Sequence, residues 1–438
     1  MTVRANPTQV LHGRWTRPVR SAVLLATLCL AMAAPAQAQS EIKGRLKWFS
    51  AGAMLPDEDF QRQASGTPAI DHTGSLRVLV RADANRKDGG SDSSLRFIAD
   101  YSLSWLNGDS FALASGAGQQ TLDQTPTEDA RRLMRLTWEI DDGRRHRAVH
   151  RFDRFALEYR RRNLSVTVGR QAVSWGSGRV FQPMDLFNPF APTTVDREYK
   201  PGDDVVLVEQ AFGGSDLQFL YVARRDEYGK VGTDSASRAI KWHGFLGGSE
   251  IEVLGARHYL DDVLGLTVRV PIGGAILRTD VTGTRLEYDD DWYVSGILNI
   301  DWAFDLFQRA AFGFIEYFHN DFGVRELPAR RSDLPYPLVT RLARGELFNM
   351  MRDYLAVGAT YQWSALWTQS LTAIVNLDDR SSLLQTALVY EPSDFTRMQM
   401  GITTVLGDEG EEFGGVPVVD GVTSGGGTQA FLQFVYFR

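Results

Sequence analysis

The sequence predicts an all-β protein, a transmembrane antiparallel β-barrel of about eighteen strands with sixteen as the fallback count. Three observations predict it. Runs of about ten residues alternate in hydrophobicity along most of the chain, joined in turn by tight turns and by longer polar loops. Beyond the N-terminal leader no apolar run approaches the ~20 residues that a helical span needs. A single long segment rich in proline and aromatic residues interrupts the train, and it carries too much apolar surface to stay in water.

Residues 1–38 read as a cleaved export signal. Arg4, Arg14, Arg17 and Arg20 give a positive n-region without an acidic residue, residues 21–34 form a short apolar core, and Ala36-Gln37-Ala38 is an A-x-A cleavage site. A retained membrane anchor is the rival reading. Cys29 follows Leu28, too large for the small residue that precedes a lipidated cysteine, and cleavage after Ala38 removes this only cysteine. Residues 39–438 are then one barrel with no disulfide, thiolate metal site or thiol nucleophile. Removing the four leader arginines takes the 47 basic residues to 43 against 54 acidic ones, a net charge near −11. That argues against nucleic-acid binding. Lysine is scarce, so most positive charge is arginine, whose planar fork suits anion recognition.

The downstream half shows the alternation best. Leu264, Leu266, Val268 and Val270 alternate, Pro271-Ile272-Gly273-Gly274 turns the chain, and Ala275, Leu277, Thr279 and Val281 follow with Arg278 and Asp280 opposite. Trp292, Val294, Gly296, Leu298, Ile300, Trp302 and Phe304 line one face, against Tyr293, Ser295, Asn299 and Asp301 on the other. The pattern continues through 308–319, 352–362, 367–377, 382–390, 395–405 and 428–437. Tight connections at Gly213-Gly214, Gly247-Gly248, residues 271–274, residues 305–308, Ser364-Ala365 and Pro392-Ser393 alternate with longer or more charged ones at 225–236, 260–262, 287–291, 320–349, 378–381 and 406–427. Short periplasmic turns and long external loops give this rhythm. Runs from Ser75 onward number about eighteen, and residues 42–50 would make nineteen. An odd count conflicts with single-chain bacterial barrels. Either residues 42–50 do not span, or the poorly alternating stretch 107–147 holds one strand fewer.

The interruption, the internal loop 174–204, lies between the alternating Leu164, Val166, Val168 and the restart at Val205-Val206-Leu207-Val208. Pro183, Pro189, Pro192 and Pro201 keep it out of regular structure, while Trp175, Phe181, Leu186, Phe187, Phe190 and Tyr199 demand burial. The expectation is that it folds inward, with Arg170, Trp175, Arg179, Asp185, Asp196, Arg197 and Lys200 forming the pore constriction: Arg179, Arg197 and Lys200 on one edge, Asp185 and Asp196 on the other. The alternative is an external lid whose charges pair with one another.

A soluble β-sandwich also alternates. Aromatics near strand ends (Trp292, Trp302 to Phe304, Trp363, Trp367), polar faces fit for a wet lumen (Ser295, Asn299, Asp301, Glu316) and a last strand with Ala430, Leu432, Phe434 and Tyr436 on one face favour the membrane barrel. In that last strand, TQAFLQFVYFR, the chain resembles Gram-negative outer-membrane porins, which finish on such a strand with a terminal phenylalanine read by the barrel assembly machinery. Here Phe437 is penultimate and Arg438 last. Gly169-Arg170-Gln171 followed by Trp175-Gly176 also looks like segments of porin-like families, including alginate-export-type and other carbohydrate channels. The resemblance is at superfamily level and implies an outer-membrane barrel without naming a substrate. The wide bore of so many strands, the arginine-rich polar faces and the missing catalytic constellation give the expectation of a channel for passive or substrate-selective diffusion of small polar or anionic solutes. Its partners would be outer-membrane lipid, lipopolysaccharide and the assembly machinery, with homo-oligomers open and no cofactor. An export or assembly barrel for polysaccharide or lipid is the alternative.

Other candidate chemistry is thinner. Gly176-Ser177-Gly178 lacks the spacing and lysine of a phosphate loop and reads as backbone freedom at a turn. Arg144, Arg145, Arg147, Arg151, Arg154, Arg160, Arg161 and Arg162, with His146 and His150, are the densest basic cluster: an anion-attracting ladder, a clamp on lipopolysaccharide phosphates, or strand-end charge. The acidic run 408–412 reads as an exposed loop. An outer-membrane lipase or protease needs a histidine constellation, and His12, His72, His146, His150, His243, His258 and His319 sit in no catalytic motif. The expected function is therefore non-enzymatic.

Overall fold

The alternating runs close into a barrel wall. The computed structural model of the chain describes residues 39–65, 69–88, 91–109, 129–288, 290–419 and 421–438, so the expected export signal lies outside the described residues. The first half of the wall is built from β1 (Gln39–Met54), β2 (Ala69–Asp88), β3 (Ser91–Gly108), β5 (His146–Arg161), β6 (Leu164–Gln171), β7 (Asp203–Phe212), β8 (Ser215–Val222), β9 (Ser237–Leu246) and β10 (Ser249–His258). The second half comprises β11 (Asp261–Ile272), β12 (Ala275–Arg285), β13 (Trp292–Leu306), β14 (Arg309–Asn320), β15 (Asp353–Gln362), β16 (Trp367–Asn376), β17 (Ser382–Ser393), β18 (Thr396–Leu406) and β21 (Thr428–Phe437). Each pairs antiparallel with its neighbour, and β21 pairs with β1 from Arg45↔Phe437 to Met54↔Thr428, which closes an eighteen-strand barrel.

The odd nineteenth run has a plain explanation. Residues 42–50 do span, within β1, and pair with β2 on one side and β21 on the other. In the poorly alternating stretch 107–147 the described strand, β4 (Thr137–Asp142), is six residues long and adds to the edge of β5 beyond the end of β6 instead of spanning. A short hairpin, β19 (Val416–Val419) with β20 (Val422–Ser424), lies in the loop before β21. The connection at 260–262, grouped with the longer or more charged ones, is a two-residue turn, Tyr259-Leu260, followed by the acidic pair Asp261-Asp262 at the start of β11.

The start of β1 and the C-terminus sit at the turn end of the barrel, where Gly44 exchanges backbone hydrogen bonds with Arg438 at 2.8 and 2.9 Å. Two of the tight turns use positive φ at both central residues, 56° and 85° at Gly213 and Gly214 and 51° and 61° at Phe307 and Gln308. That conformation matches the right-handed twist of the strands it joins. At the opposite end, residues 321–352 carry a helix, Tyr336–Arg344, which ends on Gly345 in the left-handed region at φ 70°. Its Leu338 packs with Leu286, Phe322 and Leu334 over the loop-end mouth.

Period-two burial sorts the two faces. On β13, Ser295, Asn299 and Asp301 are buried on the luminal side while Trp292, Val294, Leu298 and Ile300 are exposed on the outer wall. On β21 Leu432 and Tyr436 point out, whereas Phe431, Gln433 and Val435 point in. An exposed apolar exterior around a polar interior inverts the arrangement of a soluble sandwich and suits a lipid surround. The apolar core therefore sits inside the barrel, between the wall and the segment 172–202.

Candidate functional site

Residues 172–202 leave the wall at the end of β6, make a circuit of the lumen and return at β7. The contacts run in order round the barrel. Trp175 Nε1 donates to Gln218 of β8 at 3.1 Å, and its ring meets Phe187 edge-on at 5.2 Å. Ser177 donates its backbone N–H and its hydroxyl to Asp280 of β12, both at 2.7 Å. Arg179 pairs with Asp301 of β13 at 2.9 Å, and Glu316 of β14 accepts the backbone N–H groups of Arg179, Val180 and Phe181 at 2.7, 3.0 and 2.8 Å. Phe181 stacks on Phe318 with centroids 4.4 Å apart. The Thr193 carbonyl then accepts from Gln385 of β17, and Glu198 pairs with Arg397 of β18. Asp196 accepts from Arg45 and Lys47 of β1 at 3.0 and 3.2 Å, Arg77 of β2 lies 3.8 Å over the Tyr199 ring, and Arg154 of β5 donates to the Lys200 carbonyl.

The segment is seated by charge as well as by packing. Its acidic end, Asp196 and Glu198, lies on the basic side chains of β1 and β18, and its basic residue Arg179 and a row of N–H groups lie on the carboxylates of β12 to β14. Burial alone would raise the Asp196 carboxyl, but Lys47 and Arg45 overcome it and hold it at about 2. The turn that presents the N–H row needs glycine, since a Cβ on Gly178 would stand 1.8 Å from the Phe181 carbonyl oxygen. Burying Phe181 and Phe187 contributes roughly 1.5–3 kcal/mol each.

No protein-family model matches the chain, and no curated protein matches its sequence. Among solved structures it is similar to Acinetobacter baumannii OccAB4, at 10% identity over 91% of this chain and 98% of that one, with a TM-score of 0.54. Pseudomonas aeruginosa OccK5 (OpdH) matches at 9% identity over 92% and 98%, with a TM-score of 0.52. A BenF-like porin from Pseudomonas fluorescens Pf-5 matches at 11% identity over 92% and 99%, with a TM-score of 0.51. The fold is that of the outer-membrane porins. At these identities the likeness is one of fold. The outward apolar wall agrees with it and suits a lipid surround.

Within the porin fold, the seven residues expected at the constriction divide sharply. Arg179 keeps 37% of its side chain exposed and shares Asp301 with Arg278. Asp185 and Lys200, expected on opposite edges, pair with each other in a buried contact, and Lys200 also donates to the Val173 carbonyl at 2.6 Å. Two opposite charges in one folded-back loop satisfy each other before they can face water. Arg197 spends its guanidinium on the carbonyls of Arg179 and Pro192 at 2.9 Å and of Thr194 at 3.3 Å. Arg170 is fully buried between Asp204 and Asp129 and braces the root of the segment, and Trp175 is a packing residue. Asp196 is covered by β1.

The dense arginine cluster also divides. A register shift in the β3–β5 pair leaves Asp153 as an extra residue, and this bulge re-aims the strand. Arg151 and Arg154 are both drawn to buried Asp153 and its neighbours, while Arg147 pairs with Glu139 and Arg160 with Glu158. What sequence spacing did not reveal is the arginine pair Arg45 and Arg77 over the Tyr199 ring, with Arg154 on the neighbouring Lys200 carbonyl. The structure also joins Ser237, His258 and Glu346 at 2.9 and 3.0 Å. Ser237 is buried and its hydroxyl accepts from Arg224 at 2.6 Å, so the trio ties wall to loop.

The loop before β21 is not simply exposed. Glu412 is buried and accepts from the Met350 N–H, the Tyr354 hydroxyl and Asn376 at 2.6, 2.5 and 2.9 Å, while its own N–H donates to Asp379. Burial, with Asp379 nearby, pushes its carboxyl up to about 7. An acid raised in the docked state holds its proton where the undocked one has lost it, so docking weakens as pH rises from about 4.5 to about 7 and levels off above. Limited proteolysis within 407–415 is expected to be about tenfold faster at pH 8 than at pH 5 relative to the Glu412→Gln variant. A ratio that does not change with pH would break this coupling.

Proposed function

We propose that this chain is an outer-membrane channel for passive or substrate-selective diffusion of small polar or anionic solutes, with segment 172–202 as its constriction. The observation that carries the reading is the circuit itself. A segment pinned to β8, β12, β13, β14, β17, β18, β1, β2 and β5 narrows an eighteen-strand lumen from all sides. A barrel of that size otherwise leaves an aqueous bore. Arg179, partly exposed beside Arg278 and Asp301, is the charged lip that a passing anion meets. The same reading includes recognition of β21 by the barrel assembly machinery, contact of the outer rim with lipopolysaccharide, and homo-oligomers formed through the outer wall.

Purified protein in planar bilayers is expected to give steady ion conductance, and liposomes that carry it are expected to swell in sugars and sugar acids. Liposomes with correctly inserted protein that neither conduct nor swell would overturn the channel. Hydrolysis of lipid or peptide, lost on His258→Ala, would move the reading to an enzyme, and passage of polysaccharide alone to an export barrel.

A further inference from the structure

On the loop-end side of the constriction, the inward segment and residues 341–349 enclose a cavity of about 80 Å³ against β12 and β13. By volume that is room for roughly half a dozen waters, or one edge of a sugar ring. One side is hydrocarbon, formed by Phe181, Leu186, Phe318 and Phe322. Three charged residues line it, and each is already engaged. Arg341 donates to Asp261 at 2.9 Å and lies 3.8 Å over the Phe322 ring. Glu346 is bonded to His258, and Asp185 to Lys200. Among the described residues, an anion entering here finds no free cation, and a cation no free carboxylate.

The uncharged polar groups are in the opposite state. Thr284 and Asn349 both line the cavity, both are 7% exposed, and neither side chain has a hydrogen-bond partner among the described residues. A hydroxyl and an amide that face the cavity without a protein partner offer donors and acceptors to a neutral ligand. Thr282 and Ser295 extend this polar side, with their hydroxyls donating to the Ser295 carbonyl and to Asn320.

We propose that this cavity is a subsite for an uncharged, hydroxylated solute with one hydrocarbon edge, in chemical class a deoxysugar or similar small polyol. The hydrocarbon edge packs on Phe181 and Phe318, and ring hydroxyls complete the hydrogen bonds of Asn349 and Thr284. The inference rests on the channel reading, because the cavity lies inside the wall between β12, β13 and the inward segment, and it narrows that reading to a neutral substrate class at this position.

The test uses three sugars that differ only at C6: D-fucose with a methyl group, D-galactose with a hydroxymethyl and D-galacturonate with a carboxylate. Titration calorimetry on the detergent-solubilised full barrel is expected to rank them in that order. D-fucose should bind about fivefold tighter than D-galactose, and D-galacturonate should bind at least about tenfold more weakly than D-fucose. Asn349→Leu should weaken D-fucose about fivefold. Thr284→Val, isosteric and within the wall, should do the same if the first variant does not fold. D-galacturonate binding as well as D-fucose overturns the proposal, as does a D-fucose affinity untouched by either variant. Ion conductance of the same preparation is a separate arm: conductance without sugar binding sinks this subsite alone, and its absence sinks the channel.

Discussion

A barrel that lacks residues 177–200 is expected to conduct about threefold more than the intact protein or better, with its ion selectivity flattened. The cut leaves Trp175-Gly176 joined to Pro201-Gly202, enough chain to link the neighbouring strands β6 and β7, so the wall keeps its register. The deleted stretch holds Arg179, Arg197 and Lys200 against Asp185, Asp196 and Glu198, a net charge of zero. Changed selectivity would therefore come from where charges sit. Removal bares Arg45, Lys47 and Arg397 on one side of the lumen and Asp280, Asp301 and Glu316 on another. In a wide, wet bore these are screened within about 8–10 Å. Unchanged conductance in a mutant that inserts and folds would mean that the narrowest point lies elsewhere, at the cap formed by residues 321–352 and 407–427.

The barrel was legible because a half-buried strand writes itself as alternation, and every neighbour in the wall is also a neighbour in sequence apart from the closing pair. The in-out assignment of β13 from Trp292 to Phe304 needed no tertiary information. The inward course of 172–202 was legible for the same kind of reason, since prolines barred it from the sheet and Phe181 and Phe187 barred it from water. The partners of its charges were not legible. Asp196 meets Arg45 across 151 residues, and Arg179 meets Asp301 across 122, contacts that depend on barrel size and tilt. Asp185 and Lys200 lie only 15 residues apart, yet whether they face each other or the aperture depends on how the loop doubles back. A charge read from sequence carries its sign but not its partner. Glu316 shows the same gap in another form. Its place on the luminal face was readable, while its use as an acceptor for three backbone N–H groups was not.

That use makes Glu316→Ala the second large effect. The substitution removes the acceptor of the Arg179, Val180 and Phe181 N–H groups together, in a place where Val180 and Phe181 are buried and water has little access. Each stranded donor costs about 1–3 kcal/mol, so the seated turn loses on the order of 3 kcal/mol or more. Asp280 still holds Ser177, and the Phe181–Phe318 stack persists, so the segment is expected to flicker rather than leave. Single-channel records should change from a quiet level to noisy switching between the native conductance and larger ones. Glu316→Gln, with one carbonyl oxygen for three donors, should fall between. Barrel assembly should not change, because Glu316 pairs in the wall through its backbone, opposite Asn299 and Ala356. A heat-modifiable band on a gel checks that point independently of the current. The charge change has its own control in Asp301→Asn, which removes a luminal carboxylate that accepts only side-chain donors from Arg179 and Arg278. That variant should shift ion selectivity and leave the record quiet. If Glu316→Ala is as quiet as the native channel, the N–H row does not hold the constriction, and the aromatic packing of Phe181 and Phe187 alone must suffice.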